Sequence, residues 1–151
     1  MKKKWYFLII IAILLAIQLI RIDKTNPPVD LNKDFITVTS PPPEIAKMIK
    51  TSCYDCHSNE IEYPWYSNVA PASWYLKNHI NEARSRVNFS EWADYPEEKI
   101  SRKLEACAED VEEGEMPLSS YTLIHSAADL NPEQIKVLSQ WFKQQSEKVK
   151  E

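Results

Sequence analysis

Glycine and cysteine are scarce in this sequence, with one glycine and three cysteines among 151 residues. Tight hairpin turns usually need residues with positive φ, so a single glycine argues against a turn-rich all-β fold. Three cysteines are too few for a small disulfide scaffold. The hydrophobic content of 44% and the charged content of 26% are those of a globular protein, which excludes disorder of the whole chain.

Cations are also scarce in the body of the chain. Four of the 18 Lys and Arg residues, but none of the 22 Asp and Glu residues, lie within residues 1–21. Residues 22–151 therefore carry a more negative net charge than the −4 of the whole chain. Because contacts to phosphates need clustered cations, the composition argues against a nucleic-acid partner.

The one long apolar run lies near the N-terminus, between three lysines and Arg21. From Trp5 to Ile20 it would form a helix about 24 Å long, slightly short for a hydrocarbon core of roughly 30 Å. The flanking cations can reach the headgroups, so we expect a single-pass transmembrane helix within residues 1–22. A cleaved signal peptide is the alternative, although no small-residue cleavage site follows. Both interpretations place the body at the periplasmic, extracytoplasmic side of the cell membrane.

Three segments are predicted: a membrane anchor or signal over residues 1–22, a Pro-rich extended tether over 23–43, and a domain over 44–151. Prolines near both ends of the tether favour extended backbone. Within the tether, residues 35–39 alternate weakly, which is compatible with one short strand or with an extended segment laid on the domain.

Helical patterning begins at residue 44. Pro71, Pro96 and Pro132 stand where helices would begin, and Gly114 stands where a left-handed residue would end one. The spacing predicts four main helices and a further short one over 119–125. Because no strands alternate with these helices, the predicted fold class is all-α.

Residues 53–57 have the sequence Cys-Tyr-Asp-Cys-His, the attachment signature of c-type haem. Two cysteines on one helical turn can form thioethers with the two vinyl groups at one porphyrin edge. The adjacent His57 then offers one ring nitrogen to iron, while its other nitrogen donates to a backbone carbonyl, which we expect in the loop over 62–71. The motif therefore predicts one covalent haem c, bound through Cys53 and Cys56 with His57 as a metal ligand.

Other chemistries use the same residue types. A zinc ion could take four ligands here, namely Cys53, Cys56, His57 and Cys107. Zinc sites more often pair two separated two-ligand knuckles. A redox-active Cys-x-x-Cys would favour a thioredoxin-like βαβ setting, which is missing. Cys107 shares the apolar stripe of its helix and is interpreted as a small buried side chain.

The second axial ligand decides what such a haem protein does. Met116 lies in Gly114-Glu115-Met116-Pro117, a loop from which a thioether can approach the open face of a haem. We expect Met116 to be the ligand; His79, His125 and an open position are the alternatives. Met48 precedes the motif in a helix and is interpreted as a core residue.

The chain resembles the haem-binding domain family, single-haem c-type proteins often carried behind an N-terminal anchor. The resemblance covers about residues 40–145. Its most distinctive stretch is Tyr63-Pro64-Trp65-Tyr66-Ser67-Asn68-Val69-Ala70-Pro71, and the others are 53–59, 88–92, 116–118 and 121–125. The order of haem motif, Met-Pro loop and closing aromatic helix also resembles class I cytochromes c, which implies a cytochrome c-like helical domain and iron ligation by Met116.

These features together predict a membrane-anchored monohaem c-type cytochrome that carries single electrons and needs no catalytic residue. Its partners would be redox proteins, and the acidic run over 109–115 favours a basic one. The alternative is a haem-based sensor or peroxidase-like enzyme with an open distal site, in which His79 or His125 would serve as an acid–base group.

Overall fold

The fold is known from a computed structural model that describes residues 2–150, with the side chains of residues 3–150. Met1 and Glu151, the ends of two predicted segments, lie outside the described residues. Within that range the chain forms eight α-helices, three short 3-10 helices and no strand, so the predicted all-α class is confirmed. The α-helices are α1 (Lys2–Ile17), α2 (Phe35–Thr39), α3 (Pro43–Ser52), α4 (Tyr54–His57), α5 (Ala72–Arg86), α6 (Glu97–Glu112), α7 (Ser119–Thr122) and α8 (Pro132–Lys150). The 3-10 helices span Trp65–Asn68, Phe89–Asp94 and Ser126–Ala128.

Two helix boundaries follow directly from local sequence. Gly114 has φ 72° just after α6, in the left-handed region that strains other residues, and its N–H donates to the Val111 carbonyl oxygen over 3.2 Å. At the start of α8 the side-chain oxygen of Asn131 accepts from the Gln134 N–H, and the Gln134 side chain accepts from the Asn131 N–H, each over 2.9 Å. This reciprocal pair satisfies backbone donors that the first helical turn leaves unpaired.

Aromatic side chains around Phe35 form the centre of the core. Phe35 is fully buried, and its ring centroid lies 4.9 Å from that of Phe89, 4.6 Å from Trp92 and 5.9 Å from Trp141. The long helices α6 and α8 lie against each other beside this cluster, and α3 contacts α8. Other buried apolar members of the core are Ile45, Ile49, Leu104, Ala108, Val111, Leu138 and Phe142.

Both conformations considered for residues 35–39, a short strand and an extended segment, are wrong, because these residues form α2. The Asp34 carboxylate caps this helix by accepting from the Ile36 N–H over 3.0 Å, and it also accepts from the buried Tyr54 hydroxyl over 2.9 Å. The β-branched residues of the segment favour a strand locally. Burial of Phe35 and the Asp34 cap decide otherwise, so the predicted tether contributes an aromatic side chain to the core.

The N-terminal helix α1 exposes apolar side chains along its length, and the residues that follow it form hydrogen bonds with residues 68–70. Within residues 2–150 no helix combines the length with the apolar character that crossing a membrane demands. The transmembrane helix expected within residues 1–22 is therefore not supported: α1 stops at Ile17. Directly after it, Gln18 Nε2 donates to the Ala70 carbonyl oxygen and the Ala70 N–H donates to Gln18 Oε1, each over 2.9 Å.

Phe35→Ala should lower the free energy of unfolding by about 3–5 kcal/mol, because it leaves a cavity among three aromatic rings. Denaturant unfolding of the variant and the parent measures the difference. Val38→Ala is the matched control, since Val38 lies on the same helix and is exposed; it should cost less than about 0.5 kcal/mol. Equal losses in the two variants would contradict this placement of α2.

Candidate functional site

The Cys-x-x-Cys-His motif forms a single helical turn, in which Cys53 separates α3 from α4 and the other four residues make up α4. Cys53 breaks the helix with φ −124° and ψ −38°, and its carbonyl oxygen accepts from the N–H groups of Cys56 and His57 over 3.2 Å and 2.9 Å. The three predicted functional side chains therefore start from one compact turn. Tyr54 in the same turn is buried and stacks on Phe89, with ring centroids 5.5 Å apart, which attaches the motif to the core.

The His57 ring is oriented by a backbone carbonyl, as a metal-binding imidazole requires. Its Nδ1 lies 3.1 Å from the Val87 carbonyl oxygen, which can only accept, so Nδ1 carries the proton and Nε2 keeps its lone pair. Burial lowers the pKa of His57, which favours the neutral form that binds metal ions. The expectation of a carbonyl from residues 62–71 is wrong: α4 packs against α5, so the chain leaving α5 lies against the ring.

One cleft of about 260 Å³ brings the imidazole of His57 together with the Met116 loop. A smaller cavity of about 50 Å³ shares Ser52, His57 and Met116 with that cleft and adds the Cys53 and Cys107 positions. The cleft is lined from the motif by Cys56, from α5 by His79, Glu82, Ala83 and Arg86, and from the chain after Met116 by Pro117, Leu118 and Tyr121, the last of these in α7. The structure therefore gathers all four predicted site residues around two spaces that share Ser52, His57 and Met116.

Met116 is held at this cleft by its backbone. Its N–H donates to the Asp110 carbonyl oxygen over 2.9 Å, which ties the loop to the last turns of α6. Gly114 supplies the left-handed residue that turns the chain back after the helix. The half-buried Met116 side chain packs on the edge of the main core. The thioether thus reaches the cleft from a loop of fixed geometry.

The hydroxyl of Ser52 is an orphaned polar atom in this cleft. It is buried, lines both spaces and has no hydrogen-bond partner within the described part of the chain. Leaving a buried hydroxyl unpaired costs roughly 1–3 kcal/mol, so such an atom indicates a site built for a further group. The same two spaces are lined by the three cysteines, by His57 and by Met116, and this set of thiol, imidazole and thioether donors fits an iron porphyrin.

The two alternative histidines lie in different surroundings. His79 lines the cleft, and its Nδ1 lies 2.9 Å from the Tyr75 carbonyl oxygen, which leaves Nε2 for another partner. His125 lines a neighbouring cleft instead. Its Nε2 lies 3.0 Å from the Tyr66 hydroxyl, and its ring stacks on Tyr121 with centroids 4.3 Å apart. The structure therefore brings His79, but not His125, to the space that Met116 lines.

Two contacts at this site were not predicted from the sequence. The Tyr121 hydroxyl donates to the Asp55 carboxylate inside the motif, which fixes the closing segment over the haem motif. The second is the hydrogen bond between His57 and the Val87 carbonyl oxygen. The sequence signal for Tyr121 was its place in the aromatic stretch 121–125, but its partner lies 66 positions earlier in the chain. Backbone carbonyls carry no sequence signal at all.

The third cysteine lies beside the motif rather than apart from it. Cys107 on α6 lines the small cavity together with Cys53. Within residues 2–150 no three His, Cys, Asp or Glu side chains are grouped to hold a metal ion by themselves. The four-ligand zinc alternative is therefore not supported.

An all-helical chain with sulfur and imidazole donors on one cleft is characteristic of the helical haem proteins. The comparison with known families agrees: the chain belongs to the haem-binding domain family, whose model matches residues 12–144. Neither the curated proteins nor the solved structures contain a match to this chain. Haem is accordingly its cofactor.

The buried thiols should be nearly unreactive in the folded, haem-free protein. Burial, with a smaller contribution from Asp110, raises the pKa of Cys107 to about 12, and burial raises the pKa of Cys56 to about 11. Since the thiolate is the nucleophile and each pKa unit changes its fraction tenfold, Cys107 should react with iodoacetamide at pH 8 roughly 10³-fold more slowly than in urea. Mass spectrometry of alkylated peptides gives both rates. Equal rates in the folded and unfolded chains would contradict this burial.

Proposed function

We propose that the protein is a single-electron carrier, a monohaem c-type cytochrome whose haem is linked to Cys53 and Cys56. His57 and Met116 would be the protein ligands that hold the iron. The observation that carries the proposal is the cleft that His57 and Met116 both line. Bound haem supplies reversible one-electron exchange at its iron, so the protein needs no catalytic residue of its own.

The residues around the cleft have separate tasks in this proposal. The Val87 carbonyl holds the imidazole of His57 in one orientation and keeps Nε2 unprotonated. A thioether from Met116 favours the reduced iron more than a second imidazole would, which raises the reduction potential. The ring centroid of the buried Phe89 lies 6.1 Å from that of His57, so an apolar side chain packs beside this imidazole. These side chains would keep nearly the same positions in the oxidised and the reduced protein.

Charge around the cleft favours a basic redox partner. Glu109, Glu113 and Glu115 are exposed at the end of α6 and in the loop that carries Met116. Glu112 forms an ion pair with Lys143 of α8 and therefore contributes less to this acidic surface. Complementary charge steers the approach of a partner more than it adds affinity.

We further propose that α1 inserts into a lipid bilayer and holds the haem domain at its extracytoplasmic surface. The helix is about 24 Å long including the lysines at its start, its apolar part from Trp5 to Ile17 spans about 20 Å, and the apolar residues Leu19 and Ile20 follow it before Arg21. Lysines at its start and Arg21 beyond its end can reach the headgroups on either side. Lys3 and Lys4 would then lie on the cytoplasmic side by the positive-inside rule.

His79 favours one alternative function. Because its imidazole lines the cleft and keeps Nε2 free, it could serve as an acid–base group above an open iron position. The protein would then be a haem-based sensor or a peroxidase-like enzyme. Carbon monoxide separates the two functions, since rapid and tight binding to the reduced parent protein requires an open position and contradicts ligation by Met116.

Covalent attachment predicts a definite thiol count. The holoprotein, extracted with acidified acetone and unfolded, should retain its colour and expose one free thiol per chain, that of Cys107. Cys53→Ser and Cys56→Ser should each lose one thioether link, which a haemochrome spectrum reports. Cys107→Ser is the matched control and should retain both links. Complete removal of haem by the solvent would refute covalent attachment.

Met116→Ala should abolish the sulfur-to-iron charge-transfer band of the oxidised protein, because the sixth ligand is lost. The same variant should bind carbon monoxide when reduced and have a lower reduction potential. Met48→Ala provides the matched control, since Met48 lies in α3 and does not line this cleft. A band that persists in Met116→Ala would remove Met116 from the ligand set.

A further inference from the structure

Exposed apolar side chains are gathered where α1 ends. They are Leu19, Ile20, Trp65 and Val69, which we call the foot patch. Leu19 is 84% exposed and Trp65 is 73% exposed, although both are large apolar side chains. Leu19 and Ile20 follow α1, whereas Trp65 and Val69 come from the 3-10 helix after the haem motif and the residue that ends it. The patch therefore joins two parts of the chain that lie far apart in sequence.

Hydrogen bonds hold these two parts together. Besides the paired bonds between Gln18 and Ala70, Arg21 Nη1 donates to the Asn68 carbonyl oxygen over 3.1 Å. Lys24 Nζ donates to Asn68 Oδ1 over 2.6 Å. A medium that surrounds the end of α1 must therefore also lie close to the surface that carries Trp65 and Val69.

A third element is attached at the same place. Trp74 Nε1, in the first turn of α5, donates to the Ile20 carbonyl oxygen over 3.0 Å. Ala83 lines the haem cleft from the same helix, about 13 Å further along its axis. The foot patch is thus connected to the haem cleft through a single helix.

The chemistry of the foot patch suits lipid better than a protein groove. Apolar side chains are exposed all along α1, so the medium that covers them must surround the helix rather than receive one face of it. Tryptophan prefers the headgroup level of a bilayer, which is where Trp65 would lie beside the end of an inserted helix. Arg21 and Lys24 are bonded to uncharged oxygens, so their charges remain free to attract anionic headgroups.

We propose that the foot patch rests on the headgroup surface of the bilayer into which α1 inserts, and that it holds the haem domain in one orientation. This inference rests on the insertion of α1 proposed above. The bonds around Gln18 and Asn68 join the inserted helix to the domain, and Trp65 and Val69 add a second point of contact with the lipid. The haem cleft is then held beside the membrane at a constant height, where a partner can reach it.

Photochemical crosslinking tests the foot patch directly. The holoprotein is reconstituted into phosphatidylcholine vesicles that contain phosphatidylglycerol and two photoactivatable phospholipids, one with a diazirine in its acyl chain, which reaches α1, and one with a diazirine near its headgroup, which reaches the foot patch. After irradiation, mass spectrometry locates the lipid adducts. We expect adducts on α1, on Leu19 and Ile20, and on Trp65 and Val69. Val137 of α8 is also exposed and apolar, but it lies elsewhere in the fold and should carry none.

The outcomes separate the two proposals. Adducts on α1 without adducts on Trp65 or Val69 would overturn the foot patch and leave the insertion of α1 intact. An absence of adducts on α1 would overturn the insertion itself, and the foot patch with it. Adducts at Val137 equal to those at Trp65 would show non-specific lipid contact and would also overturn the inference.

A pair of surface variants provides a second readout. Trp65→Gln should lower the partition of the holoprotein into these vesicles several-fold in a flotation assay, because an interfacial side chain is lost. Val137→Gln removes an exposed apolar side chain outside the foot patch and should leave the partition unchanged. Both positions are exposed, so neither substitution disturbs the core. Equal partition of the two variants would contradict the proposal.

Discussion

The hydrogen bond between His57 Nδ1 and the Val87 carbonyl oxygen decides how the haem site is built. It requires the haem motif and the end of α5 to be in contact, and that contact sets one wall of the cleft. It also places the ring proton of the neutral imidazole on Nδ1 and leaves Nε2 free, while burial lowers the pKa of this histidine and favours the neutral form. Phe89, two residues beyond Val87, packs on the motif and on Phe35, so the same contact joins the site to the core.

The opposite wall depends on the loop after α6. Gly114 ends the helix with a left-handed residue, and the bond from Met116 to Asp110 returns the chain toward the motif. The Tyr121 hydroxyl then closes the segment onto Asp55. These walls surround spaces lined by sulfur and imidazole donors, and membership of the haem-binding domain family makes them the candidate haem site. The proposed electron transfer needs only that the two walls hold their ligands still.

Attachment at the membrane and electron transfer would be linked through α5. Its first turn carries Trp74, bonded to the chain just after α1, and its later turns line the cleft. A domain held in this way would present the acidic end of α6 to partners from a constant position. The apolar run from Trp5 to Ile20 is slightly short for a hydrocarbon core of roughly 30 Å, so an inserted α1 would depend on its flanking cations to reach the headgroups.

Local signals in the sequence determined the helical class, the haem motif, the capping pair at Asn131 and the left-handed Gly114, because each depends on residues within about one helical turn. Tertiary structure alone decided the rest. The carbonyl that orients His57 lies 30 residues away, and the choice of His79 over His125 as a neighbour of the cleft depends on which faces of distant helices meet. Residues 35–39 show the same limit. Their alternation is compatible with a strand, but the burial of Phe35 among rings from later segments stabilises a helix, since the free energy of that burial exceeds a weak local preference.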